Sequence, residues 1–559
     1  MKRIIILLLL CVIFDTSFTK DTLKRSSTKK TLKTKSSRVT SKKSIKKSKA
    51  PKAKKAPVKK AKPARKQTIK KAAAQKVSAV KPTKRATTRK GKPAARKIAK
   101  PSVKKTTKPA TTKKVSKKPV KAVNAADIAQ FQSLVAQSNT FADRVTIPTQ
   151  NNRIAAIAAD NEIKQATIAQ QAQHTYPIMH ASVNELIDSF LALKRTQGSE
   201  IEQALYATMN RASFITRLLS KRPLMFMNAS DDYLLRDGST RGSGGFESIG
   251  TDDEAAPLVL ANYLSYDEMQ LSALLGVSVP TFFINNGSRN NNGAKGVPGT
   301  YEEQGIYVGL VGARFEKPNV MEWQHMIITP EQNTPENGYG AGAHTENKIL
   351  DLWSTFYGVT FPTFEETQAD TTGRYIPFAA GKRFFDSAVY KKRIRLVIVP
   401  FLLDAQARGM QQNRKVYVHM VGLGLGVWQK IARQANLMVD VFAQVIKQYN
   451  LSQIADIDFS WFPDEVQACG GIKNGGLFKT KNNKIKIHFS KRNPADKLEN
   501  NKLLVACYAW DGNAFPGNEY WIGSLSASGD PAAACCSAIV ELQNPEINGR
   551  VAGQFMIVY

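Results

Sequence analysis

Two adjacent carboxylates, Glu302 and Glu303, follow a stretch rich in Asn and Gly. That stretch runs from Asn285 and Asn286 through Gly287, Gly293 and Gly296 to Gly299. Neighbouring carboxylates repel, so one of such a pair can hold a proton near neutral pH and act as an acid. Glycines let a backbone lie close to a ligand, and their amides can cradle phosphate oxygens. A phosphate-cradling loop running into a carboxylate pair suits a sugar–phosphate ligand and cleavage at an acetal carbon. The plain alternative is a surface loop with two solvated glutamates, and on spacing alone it is the better supported.

Two further loops have the same character. KVYVHMVGLGLGVWQK (415–430) reads as strand, turn and helix start, with Gly422, Gly424 and Gly426 in the turn and Trp428 just beyond. A glycine turn between a strand and a helix is a ready anion site. Its spacing departs from both GxGxxG and the Walker pattern, and no Lys-Ser/Thr follows, which argues against dinucleotide and NTPase readings. LLVACYAWD (503–511) reads as a strand that leads into GNAFPGNEYW, where Asp511, Asn513, Gly517 and Asn518 are candidate ligand contacts. The helix after it starts near Ser528, Asp530 and Pro531, all residues favoured at a helix start. If the strand carboxyl ends line up, the loops around 285–303, 422–428 and 511–530 converge on one crevice.

The positioning elements form an α/β pattern. Ala-rich and amphipathic segments between 123 and 220 read as helices, with Val183, Leu186, Ile187, Phe190 and Leu193 at helical spacing. The Asp/Gly/Ser-rich residues 228–254 read as a loop or domain boundary. LSYDEMQLSALLG (264–276) is a helix capped at Ser265. MEWQHMIIT (321–329), IDFSWF (457–462) and the closing FMIVY read as strands. The continuous apolar run KRIRLVIVPFLL (392–403) reads as a strand covered on both faces. Strand, helix and strand in succession argue for a parallel or mixed sheet.

The formal net charge is +38 over 559 residues, and it is unevenly spread. Residues 1–122 hold 43 of the 82 Lys and Arg, with Asp15 and Asp21 as their only acids. The rest of the chain is near neutral and long enough to bury a large core. Met1–Thr19, with Lys2-Arg3 before an apolar run from Ile4 to Phe14, reads as an export signal. This predicts an exported protein, and no later segment is apolar enough to anchor it in a membrane. Residues 20–122 lack aromatics and have frequent Pro, a composition expected to stay disordered. Such a tail suits binding to nucleic acid or another anionic surface, or serves as a solvated spacer. Cys469, Cys507, Cys535 and Cys536 form no CxxC pair, and the histidines show no ligand spacing. Neither a metal nor a cofactor is expected, and core thiols are favoured over a disulfide.

LSYDEMQLSALLG, GTYEEQGIYVGLVGARFE with MEWQHMIIT, KKRIRLVIVPFLLDA and VYVHMVGLGLGVWQK resemble, in that order, blocks of the poly(ADP-ribose) glycohydrolase catalytic domain. That family belongs to the macrodomain superfamily. The resemblance covers roughly 250–462. It implies a macrodomain-like three-layer mixed sheet (251–559, with a C-terminal extension) behind a helical accessory region (123–250). It implies ADP-ribose, or an ADP-ribosylated substrate, as the partner and hydrolysis of ADP-ribosyl linkages as the activity. Glu303 matches the family's acid/base and Glu302 its ligand-orienting neighbour. Asn285 or Asn286 would contact a ribose, and Gly422, Gly424, Gly426 and Trp428 resemble the diphosphate loop. The sequence departs from the pattern where NNNGAKGVPG replaces a triple glycine and Tyr301 replaces the Gln before the glutamates. Two other readings stand beside it, a non-catalytic reader of ADP-ribose or another nucleotide, and a polyanion-binding interaction protein.

Overall fold

The chain is described here from a computed structural model covering residues 123–341 and 347–559. The expected export signal (1–19) and basic tail (20–122) lie outside the described residues. The architecture is mixed α/β, built on a nine-stranded sheet. Its strands in chain order are β1 (Tyr176–Met179), β2 (Gly276–Phe282), β3 (Gln304–Leu310), β4 (Val416–Met420), β5 (Ile454–Ser460), β6 (Leu477–Lys479), β7 (Lys484–Ser490), β8 (Leu503–Ala509) and β9 (Ile557–Val558). The spatial order is β6-β7-β5-β4-β8-β3-β2-β1-β9.

Five neighbours, β7, β5, β4, β8 and β3, are mutually parallel. Parallel strands buried on both faces read as near-continuous apolar runs, and β8 (LLVACYA) is buried at six of its seven positions. Register is tight: Val505 pairs Ile306 and Ala509 pairs Leu310. Because β3, β8 and β4 run the same way, the loops that follow them leave the sheet on one side. β2 is antiparallel to β3, so the chain between them turns at the opposite edge.

The expected strand at 392–403 is instead the middle of a 25-residue helix, Ser387–Gln411. Asp386 caps it by accepting from the amides of Ala388 and Val389, both at 3.0 Å. The helix is buried around most of its circumference, Pro400 included, and such a run looks the same as a covered strand in sequence. MEWQHMIIT likewise departs from a single strand. Trp323–Met326 is one helical turn, and only Ile327–Ile328 is extended. Residues 228–254 are a loop interrupted by short strands, Asp232–Leu234 and Arg241–Ser243, which join Met225–Met227 in a small antiparallel sheet. The helix predicted from LSYDEMQ spans Tyr266–Ser272, with a capping box between Ser265 and Glu268. One continuous apolar core links the helices before residue 220 to the main sheet, with Phe190, Leu218, Val279, Val308 and Val418 all buried in it. All four cysteines after residue 122 are buried free thiols. Among the described residues no helix is long and apolar enough to cross a membrane.

Candidate functional site at the carboxyl ends of the parallel strands

Three loops meet where β3, β4 and β8 end. After β8, Trp510 still pairs with Leu310 (N to O, 2.9 Å), and the chain then turns through Asp511 to Asn518. Gly517 adopts φ +103, a left-handed conformation that suits glycine. Its amide donates to Asp530 Oδ1 at 2.8 Å. Asn518 is fully buried: its Oδ1 accepts from Phe226 N at 2.9 Å, and its Nδ2 donates to Asp511. Ser528 caps the helix Gly529–Cys536 and also donates to Glu519 Oε2 at 3.3 Å.

These turns bring Asp511, Glu519 and Asp530 together, with one carboxylate oxygen from each lying within 4.8 Å of the others. Asp530 is buried, whereas Asp511 and Glu519 are half-buried. Burial, and then the charge of Glu519, push Asp511 up to about 8, with Arg314 pulling the other way. Asp530 is raised by burial and by its two acidic neighbours, and Glu519 chiefly by burial. The cluster therefore shares protons at neutral pH. Three oxygens so close supply at most part of the oxygen shell that a hard divalent cation needs.

The glycine turn after β4 lies beside this cluster. Gly424 has φ +65, and a Cβ there would fall 2.9 Å from Ala313 O. A Cβ on Gly312, just after β3, would fall 2.5 Å from Gly424 N, so the two loops touch backbone to backbone. Trp428 closes the turn and donates from Nε1 to Glu316 Oε2 at 3.3 Å. Gly422 is half-buried, and Gly426 is exposed with nothing near its missing side chain. Asn513 is buried, and its Oδ1 has no hydrogen-bond partner. Further along the same edge, past β5 and β7, is a cavity of about 560 Å³. Phe459, Phe462, Val466 and Phe489 give it apolar walls, and Asn474 and Lys491 add polar groups.

The third predicted loop sits elsewhere. Glu302 and Glu303 precede β3, at its amino end, roughly 20 Å along the strand from its carboxyl end at ~3.3 Å per residue. Glu303 Oε1 accepts from the amide of Gly299 at 3.0 Å. Glu302 Oε1 accepts from Leu498 N at 2.9 Å and lies 3.3 Å from Lys497 Nζ. Asn285 Nδ2 donates to Ala294 O at 2.7 Å, and Asn286 Nδ2 to Asp496 Oδ1 at 2.7 Å. From this loop the Arg289 side chain donates to the carbonyls of Ser526 and Ala527, and Asn291 Nδ2 donates to Ala532 O at 3.1 Å, in the helix that carries Asp530. The structure thus brings Gly422, Gly424, Gly426 and Trp428 together with Asp511, Asn513, Gly517 and Asn518. Asn285, Asn286, Gly299, Glu302 and Glu303 are not with them.

Arg314, Glu316, Glu519, Asp530 and Phe226 also line or support the site, and sequence reasoning did not assign them to it. Asp530 was visible only as a possible helix cap, a role that Ser528 fills. The available signal was the density of acids in 511–530 after a strong strand.

A family model described as ADP-ribosylhydrolase MavL-like matches residues 132–558. The ADP-ribosylarginine hydrolase CG3568 of Drosophila melanogaster is 41% identical over 407 residues, covering 70% of this chain and 79% of the relative. A second fly protein, the ADP-ribosylarginine hydrolase CG2909, is 38% identical over 400 residues, covering 69% and 78%. Each alignment covers more than two thirds of this chain. An ADP-ribosyl hydrolase activity is what these matches support, and the chain belongs to the MavL-like ADP-ribosylhydrolase family.

Proposed function

We propose that the protein hydrolyses the bond between ADP-ribose and an arginine side chain, in a macrodomain-like crevice at the carboxyl ends of β3, β4 and β8. The observation that carries this reading is the Asp511–Glu519–Asp530 cluster set against the Gly422–Gly426 turn. The glycine turn offers amides to the diphosphate. The aromatic-walled cavity beyond β5 and β7 suits the adenine. The acids then face the anomeric carbon of the distal ribose, and their negative charge suits a guanidinium leaving group.

A protonated carboxyl of the cluster gives its proton to the departing guanidine nitrogen as the C1–N bond breaks. An ionised carboxylate takes a proton from the water whose oxygen bonds to C1. The products are ADP-ribose and a free arginine side chain, and the cluster ends with its proton count unchanged. Nearby negative charge also stabilises the positive character that develops at C1. Glu303 is the competing candidate for the acid/base. Its attachment to Gly299 and its place at the amino end of β3 favour a role in holding that loop.

The test is release of ADP-ribose from an ADP-ribosylated arginine peptide. Asp511→Asn, Glu519→Gln or Asp530→Asn should each lower the rate by ~10²–10⁴ while the protein still binds ADP-ribose. Glu303→Gln should stay near the wild-type rate. A collapse with Glu303→Gln and survival of the three cluster variants would return the chemistry to Glu303. Binding without turnover in the wild type would make the protein a reader of ADP-ribose.

A further inference from the structure

Arg314 leaves β3 through Val311, Gly312 and Ala313, and its side chain is only 3% exposed. Its guanidinium carbon lies 4.8 Å from the Phe226 ring centre and 5.5 Å from that of Trp428. Of its five N–H groups, those on Nε and Nη1 have no partner. Nη2 lies 3.6 Å from Glu316 Oε2, the oxygen that also accepts from Trp428. Burying guanidinium N–H groups without hydrogen-bond acceptors is costly unless something supplies them.

The backbone around Arg314 is held firmly. Its amide donates to Glu322 Oε2 at 2.7 Å, and Glu322 Oε1 accepts from Arg393. Arg393 is itself fully buried and donates to the carbonyls of Ala273 (2.9 Å), Val311 (3.3 Å) and Gly312 (3.2 Å). The loop that carries Arg314 is therefore fixed by a network that reaches the long buried helix. Asp511 offsets the charge of Arg314 from a distance and Glu316 from 3.6 Å, and neither fills the positions on Nε and Nη1. A planar fork with free N–H groups is the side-chain geometry that fits phosphate oxygens. The glycine turn that would carry the phosphates touches the same loop, through Gly312 and Gly424, and the same ring, Trp428.

We propose that Arg314 is a diphosphate-binding residue, steadied against Phe226 and Trp428 so that its free N–H groups meet phosphate oxygens held by the Gly422–Gly426 turn. This deepens the ADP-ribosyl reading and rests on it for the identity of the ligand. The crevice is then bipolar. Carboxylates serve the sugar and its cationic leaving group, and one guanidinium serves the anion.

The experiment is calorimetric titration of the full chain with inorganic pyrophosphate, ADP-ribose and adenosine. The wild type should bind pyrophosphate. Arg314→Gln should weaken both phosphate ligands about tenfold or more and leave adenosine unchanged, as expected for loss of a charge-assisted contact. Arg314→Lys, which keeps the charge and loses the fork, should fall between them. If the Gln variant melts early, Phe226→Leu supplies the second arm. It keeps the arginine and removes its support, and should weaken pyrophosphate selectively. No pyrophosphate binding by the wild type overturns the inference. So does unchanged affinity in Arg314→Gln, or an equal loss for adenosine, which would make Arg314 packing only. Pyrophosphate binding that depends on Arg314, with no binding of ADP-ribose, would uphold the anion site and sink the ADP-ribosyl reading.

Discussion

Asp511 faces Glu519 and Asp530 while accepting a hydrogen bond from Asn518, so ionising it adds a charge where two others compete. A carboxyl raised to about 8 in the folded state binds its proton more tightly than in the unfolded chain, where the ordinary value is near 3.8. Folded Asp511 therefore holds more protons than unfolded Asp511 between those values, and stability falls as pH rises through that window. Asp511→Asn keeps an oxygen for Asn518 and removes the charge. It should raise the thermal midpoint at pH 7–8, leave it unchanged near pH 3, and lower turnover by the same ~10²–10⁴. A midpoint lowered at every pH would show the carboxyl to be structurally required. Asp511 and Asn518 were legible in the sequence because acids and Asn/Gly turns after a strong strand mark ligand loops. Glu519 and Asp530 were not. Their meeting depends on the left-handed turn at Gly517 and on a helix start that points Asp530 inward, neither of which leaves a local motif.

The same contrast holds for the elements. β4, β8 and their glycine turns were readable from short apolar strands ending in Gly/Asn runs. The helix Ser387–Gln411 was not, because burial on most sides erases the 3.6-residue alternation that distinguishes a helix from a covered strand. Glu302 and Glu303 are hard to place from sequence for a related reason. Adjacency in sequence says nothing about which end of a strand a residue occupies, and here they precede β3 while the crevice follows it. Gly312 and Gly424 show how tightly the crevice walls are joined. Gly312→Ala places a methyl 2.5 Å from both Gly424 N and Leu423 C, so one loop must move. Overpacking of this kind costs ~1–3 kcal/mol, and ADP-ribose affinity should fall by more than the stability does. Titration with ADP-ribose beside a urea melt checks this. Unchanged affinity would mean that the two loops do not share the ligand.

For the whole molecule, the helical residues before 250 do more than sit beside the sheet. They supply β1, which pairs with β2, and Phe226, whose backbone holds Asn518. Thr149 meets Tyr520 through their hydroxyls at 2.8 Å, and Asn152 Nδ2 donates to Ala534 O at 2.8 Å, both next to the acid-bearing segment. Glu541, buried after that segment, accepts from Ser138 and from the amide of Ile154. A fragment of residues 251–559 should therefore lack a sharp thermal transition, while residues 123–559 should melt cooperatively. A cooperative melt of the shorter piece with ADP-ribose binding intact would show that the helical region is dispensable.

The protons shared by Asp511, Glu519 and Asp530 have a consequence for energetics. A guanidinium entering the crevice favours the ionised carboxylates, so docking an arginine-linked substrate should expel protons into solution. ADP-ribose alone brings no cation and should expel fewer. The measured heat of binding would then depend on the ionisation enthalpy of the buffer for the substrate far more than for the product. Raising the pH towards 8, where those protons are already leaving, should strengthen the hold on substrate relative to product. The cluster would thus help the spent ligand to leave.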